Sequence, residues 1–134
     1  MISLSSTPSL LEAMREAHSI VLTSYILRPG PVLDALESAA ARGAHVTVRL
    51  EGRPYEDDRG ELLAGNQRAV AELRQLGADA ALTDTSDSNG PALHMKAAVC
   101  DGVAFLDDRN WAGNGGDTVI RDCLLYTSPS PRDR

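Results

Sequence analysis

Aromatic side chains are scarce in this sequence: 134 residues hold one Phe, one Trp and three Tyr, against eighteen Ala. That excludes a bulky aromatic core and implies helices packed closely on a sheet. Cysteine is equally scarce. Cys100 and Cys123 are too few for a disulfide framework and form no CxxC pair, so neither a redox motif nor a zinc site is expected. Long apolar runs are absent as well. The longest, Ile20 to Leu27, is broken by Thr23, Ser24 and Tyr25 and falls far short of the roughly 20 residues a membrane span needs, so no transmembrane segment is expected. Met1 to Ser9 lacks the positive charge and apolar stretch of a secretory signal, which leaves a cytoplasmic address as the default. Positive charge is in deficit too: 13 Lys and Arg stand against 19 Asp and Glu, a net charge of −6. Broad, charge-driven binding to nucleic acid is disfavoured by that balance.

What is present alternates between helical and strand patterns. Thr7 and Pro8 open a helix carrying Leu10, Leu11, Met14 and Ala17 on one face, which ends near Glu16 to His18. Ser19 to Leu27, rich in β-branched residues, reads as a buried strand stopped by Arg28-Pro29-Gly30. Pro31 starts a second helix with the stripe Val32, Leu33, Leu36 and Ala40, and Gly43 stands where a left-handed cap is wanted. His45 to Leu50 alternates as a strand. Glu51 to Gly65 reads as a long, solvated, charged loop, and Asn66 as the cap of a third helix bearing Val70, Leu73 and Leu76, closed by Gly77. A short strand, Asp79 to Thr83, precedes a polar loop. Leu93 to Cys100 and Val103 to Leu106 then flank Asp101-Gly102, a strong hairpin signal. The order predicts an α/β fold, a sandwich of helices on a mixed sheet.

Chemistry concentrates on the strand LHMKAAVC. Alternation places His94, Lys96 and Ala98 on one face, with Leu93, Met95, Ala97 and Val99 on the other. The two polar side chains leave the strand about 6–7 Å apart, a separation one phosphate can bridge. Asp101 stands at the hairpin tip, and Asn110 follows just before Trp111. An isolated His and Lys would more simply be a hydrogen-bonded histidine and a solvated lysine. His18 and His45 read as surface or helix-end residues. Asp107 and Asp108, adjacent on a strand end, point to opposite faces and make a poor cation site. Tyr25, ending the first strand, fits either a pocket wall or a packed core tyrosine.

His94-Met95-Lys96, four residues, Asp101, and then Asp107-Asp108-Arg109-Asn110-Trp111 together resemble the motif of the phospholipase D superfamily: His-x-Lys, four residues, Asp, and a Gly-Ser-x-Asn-like turn. The resemblance extends over about residues 10 to 122, with a TSYIL strand and a GPVLDALESAAARG helix similar to the amino-terminal half of the family. Two departures stand out: Asp107-Asp108 replaces the Gly-Ser turn, and Asn110 comes one residue early. The resemblance implies an α-β-α sandwich and a two-step phosphodiester transfer without a metal or cofactor. His94 would be the nucleophile. Lys96 and Asn110 would hold the non-bridging oxygens, and Asp122, or alternatively Asp117, would orient His94. Asp101 would support local structure. One motif is half a site, so the second histidine would come from a downstream half or a homodimer partner. The substrate expected is a phospholipid or small phosphodiester before nucleic acid, and a degenerate, non-catalytic binding module is the competing expectation. Residues 123 to 134, CLLYTSPSPRDR, resemble translated sequencing-adapter read-through, so the domain is expected to occupy residues 1 to 122 and the native chain to continue past Asp122. Without Arg132, Asp133 and Arg134 the balance is 11 basic to 18 acidic residues, a charge of −7.

Overall fold

The computed structural model describes residues 2–54, 57–83, 96–107 and 118–122. They form strands β1 (Ile2–Ser6), β2 (Ser19–Ser24), β3 (His45–Glu51), β4 (Asp79–Thr83), β5 (Lys96–Cys100), β6 (Val103–Asp107) and β7 (Thr118–Asp122). The helices are α1 (Thr7–Glu16), α2 (Pro31–Ala41) and α3 (Glu61–Gln75). All seven strands join one sheet in the order β1-β7-β6-β5-β2-β3-β4. β2, β3 and β4 run parallel, linked by the crossover helices α2 and α3, while the remaining pairings are antiparallel. The sheet is thus mixed, as the sequence predicts.

Helix ends follow the glycine chemistry. At Gly43, φ is 94°, and at Gly77 it is 93°, a conformation that costs a side chain dearly. Each glycine closes a Schellman motif: the Gly43 and Ala44 amides donate to the Ala40 and Ala39 carbonyls, and those of Gly77 and Ala78 to Arg74 and Leu73. The Asp101-Gly102 turn has positive φ at both residues, 49° and 88°, as a two-residue hairpin of the primed type requires.

One apolar cluster holds the layers together. Leu10 and Met14 of α1, Leu36 of α2 and Leu73 of α3 meet Ile20, Leu22, Val48, Leu50, Ala98 and Phe105 of the sheet. Each large aliphatic side chain buried there contributes about 1.5–3 kcal/mol relative to exposure. α1 packs on α2 and α2 on α3, so the described helices form a single layer. No helix among the described residues covers the other face, where Val21 is 42% exposed. No described helix is long and apolar enough to cross a membrane.

Three sequence expectations need correction. Asn66 is not a cap: α3 begins five residues earlier, at Glu61. Its early amides are satisfied from outside the helix, because the Asp57 carboxylate accepts from Leu62 N at 3.0 Å and Leu63 N at 2.9 Å. Glu51 is not solvated but is the last residue of β3, 0% exposed. β2 ends at Ser24, leaving Tyr25 to Leu27 to leave the sheet.

Candidate active site

Four polar or charged side chains are buried among the described residues: Ser24, Glu51, Asn66 and Lys96. The topology gathers them at one end of the sheet. Ser24 and Glu51 close the parallel strands β2 and β3, and Lys96 opens β5, which runs the other way. With Thr23 paired to Ala97, the register carries Ser24 opposite Lys96. In open α/β sheets the crevice outside the carboxyl ends of the parallel strands is where ligands bind.

Lys96 is the unusual member. Its face of β5 is the deeply buried one, shared with Ala98 and Cys100, whereas Ala97 and Val99 are only half-buried. A lysine only 6% exposed is costly unless its ammonium finds compensation. Across the sheet it stands opposite Asp107 of β6. Its neighbour is the Tyr25 ring, whose centroid lies 5.7 Å from Nζ, within cation–π range.

The backbone around Tyr25 is pinned by two buried side chains. Ser24 Oγ donates to the Ile26 carbonyl at 2.8 Å. Asn66 uses both ends of its amide: Nδ2 donates to the Tyr25 and Glu51 carbonyls, each at 3.0 Å, and Oδ1 accepts from Leu27 N at 3.1 Å. Glu51 accepts from Arg53 N at 2.9 Å, which folds the chain back after β3. Next to it, Gly52 N donates to the Thr83 carbonyl at 3.0 Å, and a Cβ at Gly52 would collide with that same oxygen.

Not every predicted site residue joins this cluster. Asp101 stands at the opposite end of β5. Its carboxylate accepts from His18 N at 3.0 Å and Ser19 N at 2.9 Å, tying the hairpin tip to the start of β2. Asp122 ends β7 opposite Ala104, nearer the hairpin tip than Lys96, whose β6 partner is Asp107. His94 and Asn110 lie outside the described residues, as does Asp117. Sequence patterns missed Glu51 and Asn66. Only the position of Glu51 at the end of an alternating strand gave a signal.

The tip end has its own cavity, about 350 Å³, lined by Glu12, Glu16, Cys100 and Asp101 among others. Its carboxylates disfavour a phosphate. Burial, and then the Asp101 charge, pushes the Cys100 thiol up to about 12, so it stays protonated and inert. No group of three or more metal-ligating side chains occurs among the described residues.

No protein-family model matches the sequence, and no curated protein matches it. Solved structures do. A phospholipase D family member, Nuc from Salmonella typhimurium, superposes with a TM-score of 0.64 at 21% identity, covering 90% of this chain and 81% of its own. The fold is that of the phospholipase D family. NucT from Helicobacter pylori is similar at a TM-score of 0.68 and 18% identity, covering 95% and 87% of the two chains. Polyphosphate kinase from Porphyromonas gingivalis, at 0.61 and 20% identity, covers 99% of this chain and 27% of its own. The phospholipase D fold therefore recurs here, at low identity, over nearly the whole chain.

Proposed function

We propose that this chain is a phosphodiesterase of the phospholipase D type, acting through a phosphohistidine. The observation that carries the proposal is Lys96: a buried ammonium beside the Tyr25 ring, at the end of the sheet where ligands bind. A phosphodiester anion bound there meets the lysine's positive charge. Lys96 holds a non-bridging oxygen and stabilises the charge that builds on it in the transition state. Asn110 holds another.

His94 comes two residues before Lys96 in the sequence, the spacing of same-face residues in an alternating pattern. One neutral ring nitrogen attacks phosphorus, a P–N bond forms, and the P–O bond to the leaving alcohol breaks as that oxygen takes a proton. A second histidine donates the proton and then accepts one from water, which attacks the phosphohistidine, breaks the P–N bond and restores His94. That histidine comes from a second copy of the motif, in the same polypeptide or in a symmetric partner. An acceptor alcohol in place of water makes the reaction a transfer. An acid on β7 or just before it fixes the His94 tautomer. Asp122 and Asp117 are the two candidates, and Asp122 pairs with Ala104, toward the hairpin tip and away from Lys96. Asp101 serves the hairpin and not the substrate, and Tyr25 lines the anion site.

A net charge of −6 favours a lipid or small phosphodiester over a nucleic acid. The second reading is a non-catalytic phosphate-binding module, favoured by Asp107-Asp108 where the family motif has Gly-Ser. A chromogenic phosphodiester, assayed with and without EDTA across monomer and dimer concentrations, separates the two. Turnover that survives EDTA and disappears in both His94→Ala and Lys96→Ala supports the enzyme. Equal rates in all three proteins, or none in the wild type, leave the binding module. Parallel assays with phosphatidylcholine vesicles and single-stranded DNA report the substrate class.

A further inference from the structure

Asn66 lies on α3, outside the motif, yet it is 0% exposed and hydrogen-bonds to the chain just after β2, the strand beside Lys96, and to the end of β3, the next strand along. Three backbone groups depend on it: the Tyr25 carbonyl, the Glu51 carbonyl and the Leu27 amide. A buried asparagine mid-helix is unfavourable for helix propensity, and apolar Ala69, Val70 and Leu73 fill the other buried positions of α3. An amide is retained at the one place where the chain leaves β2 and turns Tyr25 toward Lys96.

We propose that Asn66 is a positioning residue for the anion site. By fixing the Tyr25 backbone it sets the ring against the Lys96 ammonium, which orients the lysine and shields it from competing contacts. Asn66 touches neither Lys96 nor a substrate; it acts through residues 25 to 27. Its donor pair also holds the ends of β2 and β3 together, so the Tyr25 ring and the mouth between these strands move as one unit. The lysine's role toward phosphate rests on the function proposed above, but the orientation of Tyr25 over Lys96 does not.

The test uses two readouts on the 134-residue chain. NMR of the Lys96 ε-methylene group, without any ligand, reports the Tyr25 ring as an upfield ring-current shift that Tyr25→Leu abolishes. Titration with inorganic phosphate reports the anion site. In a folded Asn66→Ala the upfield shift collapses to the Tyr25→Leu value, and phosphate binds about tenfold more weakly, the size expected for one lost buried hydrogen bond. Leu73→Ala, which destabilises the same helix without touching the clamp, keeps both readouts. Asn66→Thr, smaller in effect on folding because its hydroxyl restores one hydrogen bond, replaces the alanine variant if that one does not fold. An upfield shift that persists in either folded Asn66 variant overturns the proposal, and so does a failure of both variants to fold, which would make Asn66 a folding residue. Loss of the shift in a protein whose wild type binds no phosphate would uphold the positioning role and reject the phosphate role of Lys96.

Discussion

Lys96 and Asp101 bracket the same strand, and the fold treats their charges in opposite ways. Lys96 is buried with an aromatic ring for company, whereas Asp101 sits at an exposed tip and accepts hydrogen bonds from two backbone amides. An exposed charge with its partners already supplied by the chain is serving the chain. A buried charge at the ligand-binding end of the sheet is the one the proposed function assigns to the substrate. On the proposed function, two members of one sequence motif thus divide into a ligand-facing group and a scaffold group, which spacing alone does not distinguish.

That division is broken most severely at Lys96. Lys96→Met is expected to lower phosphodiester turnover by about 10²–10³-fold, as loss of an oxyanion-stabilising group does. Its stability in urea should be unchanged or about 1 kcal/mol higher, because a buried charge has been replaced by an apolar side chain of similar length. A large loss of stability would place Lys96 in the scaffold class instead.

Gly52→Ala comes next. The collision of its Cβ with the Thr83 carbonyl forces β3 and β4 apart beside the site, and a loss of about 1–3 kcal/mol is expected in chemical denaturation. Asp101→Ala should cost about 1 kcal/mol while leaving phosphate binding unchanged. Asp101→Asn, which keeps an acceptor and tolerates the positive φ of 49° at this position, should recover most of that stability.

The smallest effect lies away from both ends, where α2 meets α3. Burial first, and then the hydrogen bond that protonated Glu37 donates to the Glu72 carboxylate and the charges of Glu72 and Asp34, raise the Glu37 carboxyl above its ordinary value of 4.5. The folded state therefore binds that proton more tightly than the unfolded chain does. The associated stability is present at low pH and lost as pH rises through the folded value. Glu37→Gln removes the repulsion, so its melting temperature should exceed the wild type's at pH 7 and converge with it below pH 4. A constant difference across that range would show that the carboxyl pair is not the cause.

Much of this arrangement is legible in the sequence wherever local physics decides. Gly43 and Gly77 cap their helices, Asp101-Gly102 turns its hairpin, and the stripes of α1 and α2 face the core as their spacing predicts. Pairing between distant segments is what the patterns could not supply. β1 and β7 are short, and Ile2 finds its partner at Asp122, almost the whole chain away. The start of α3 was hidden because Asp57, four residues before Glu61, supplies its amides from what reads as a charged loop. Burial of Glu51 and Asn66 was hidden for the same kind of reason: a polar residue is pulled inside by backbone groups that only the assembled sheet brings together. The His-x-Lys motif was visible, but which face of β5 is the deeply buried one was not.

The measurement that bears most directly on Lys96 is the thermal stability of the wild type and of Lys96→Met in increasing inorganic phosphate, with chloride at matched ionic strength as the control. A saturable rise in the wild-type melting temperature that is absent in the variant is the expected result. Equal rises in both proteins, or none in either, would contradict an anion site at Lys96.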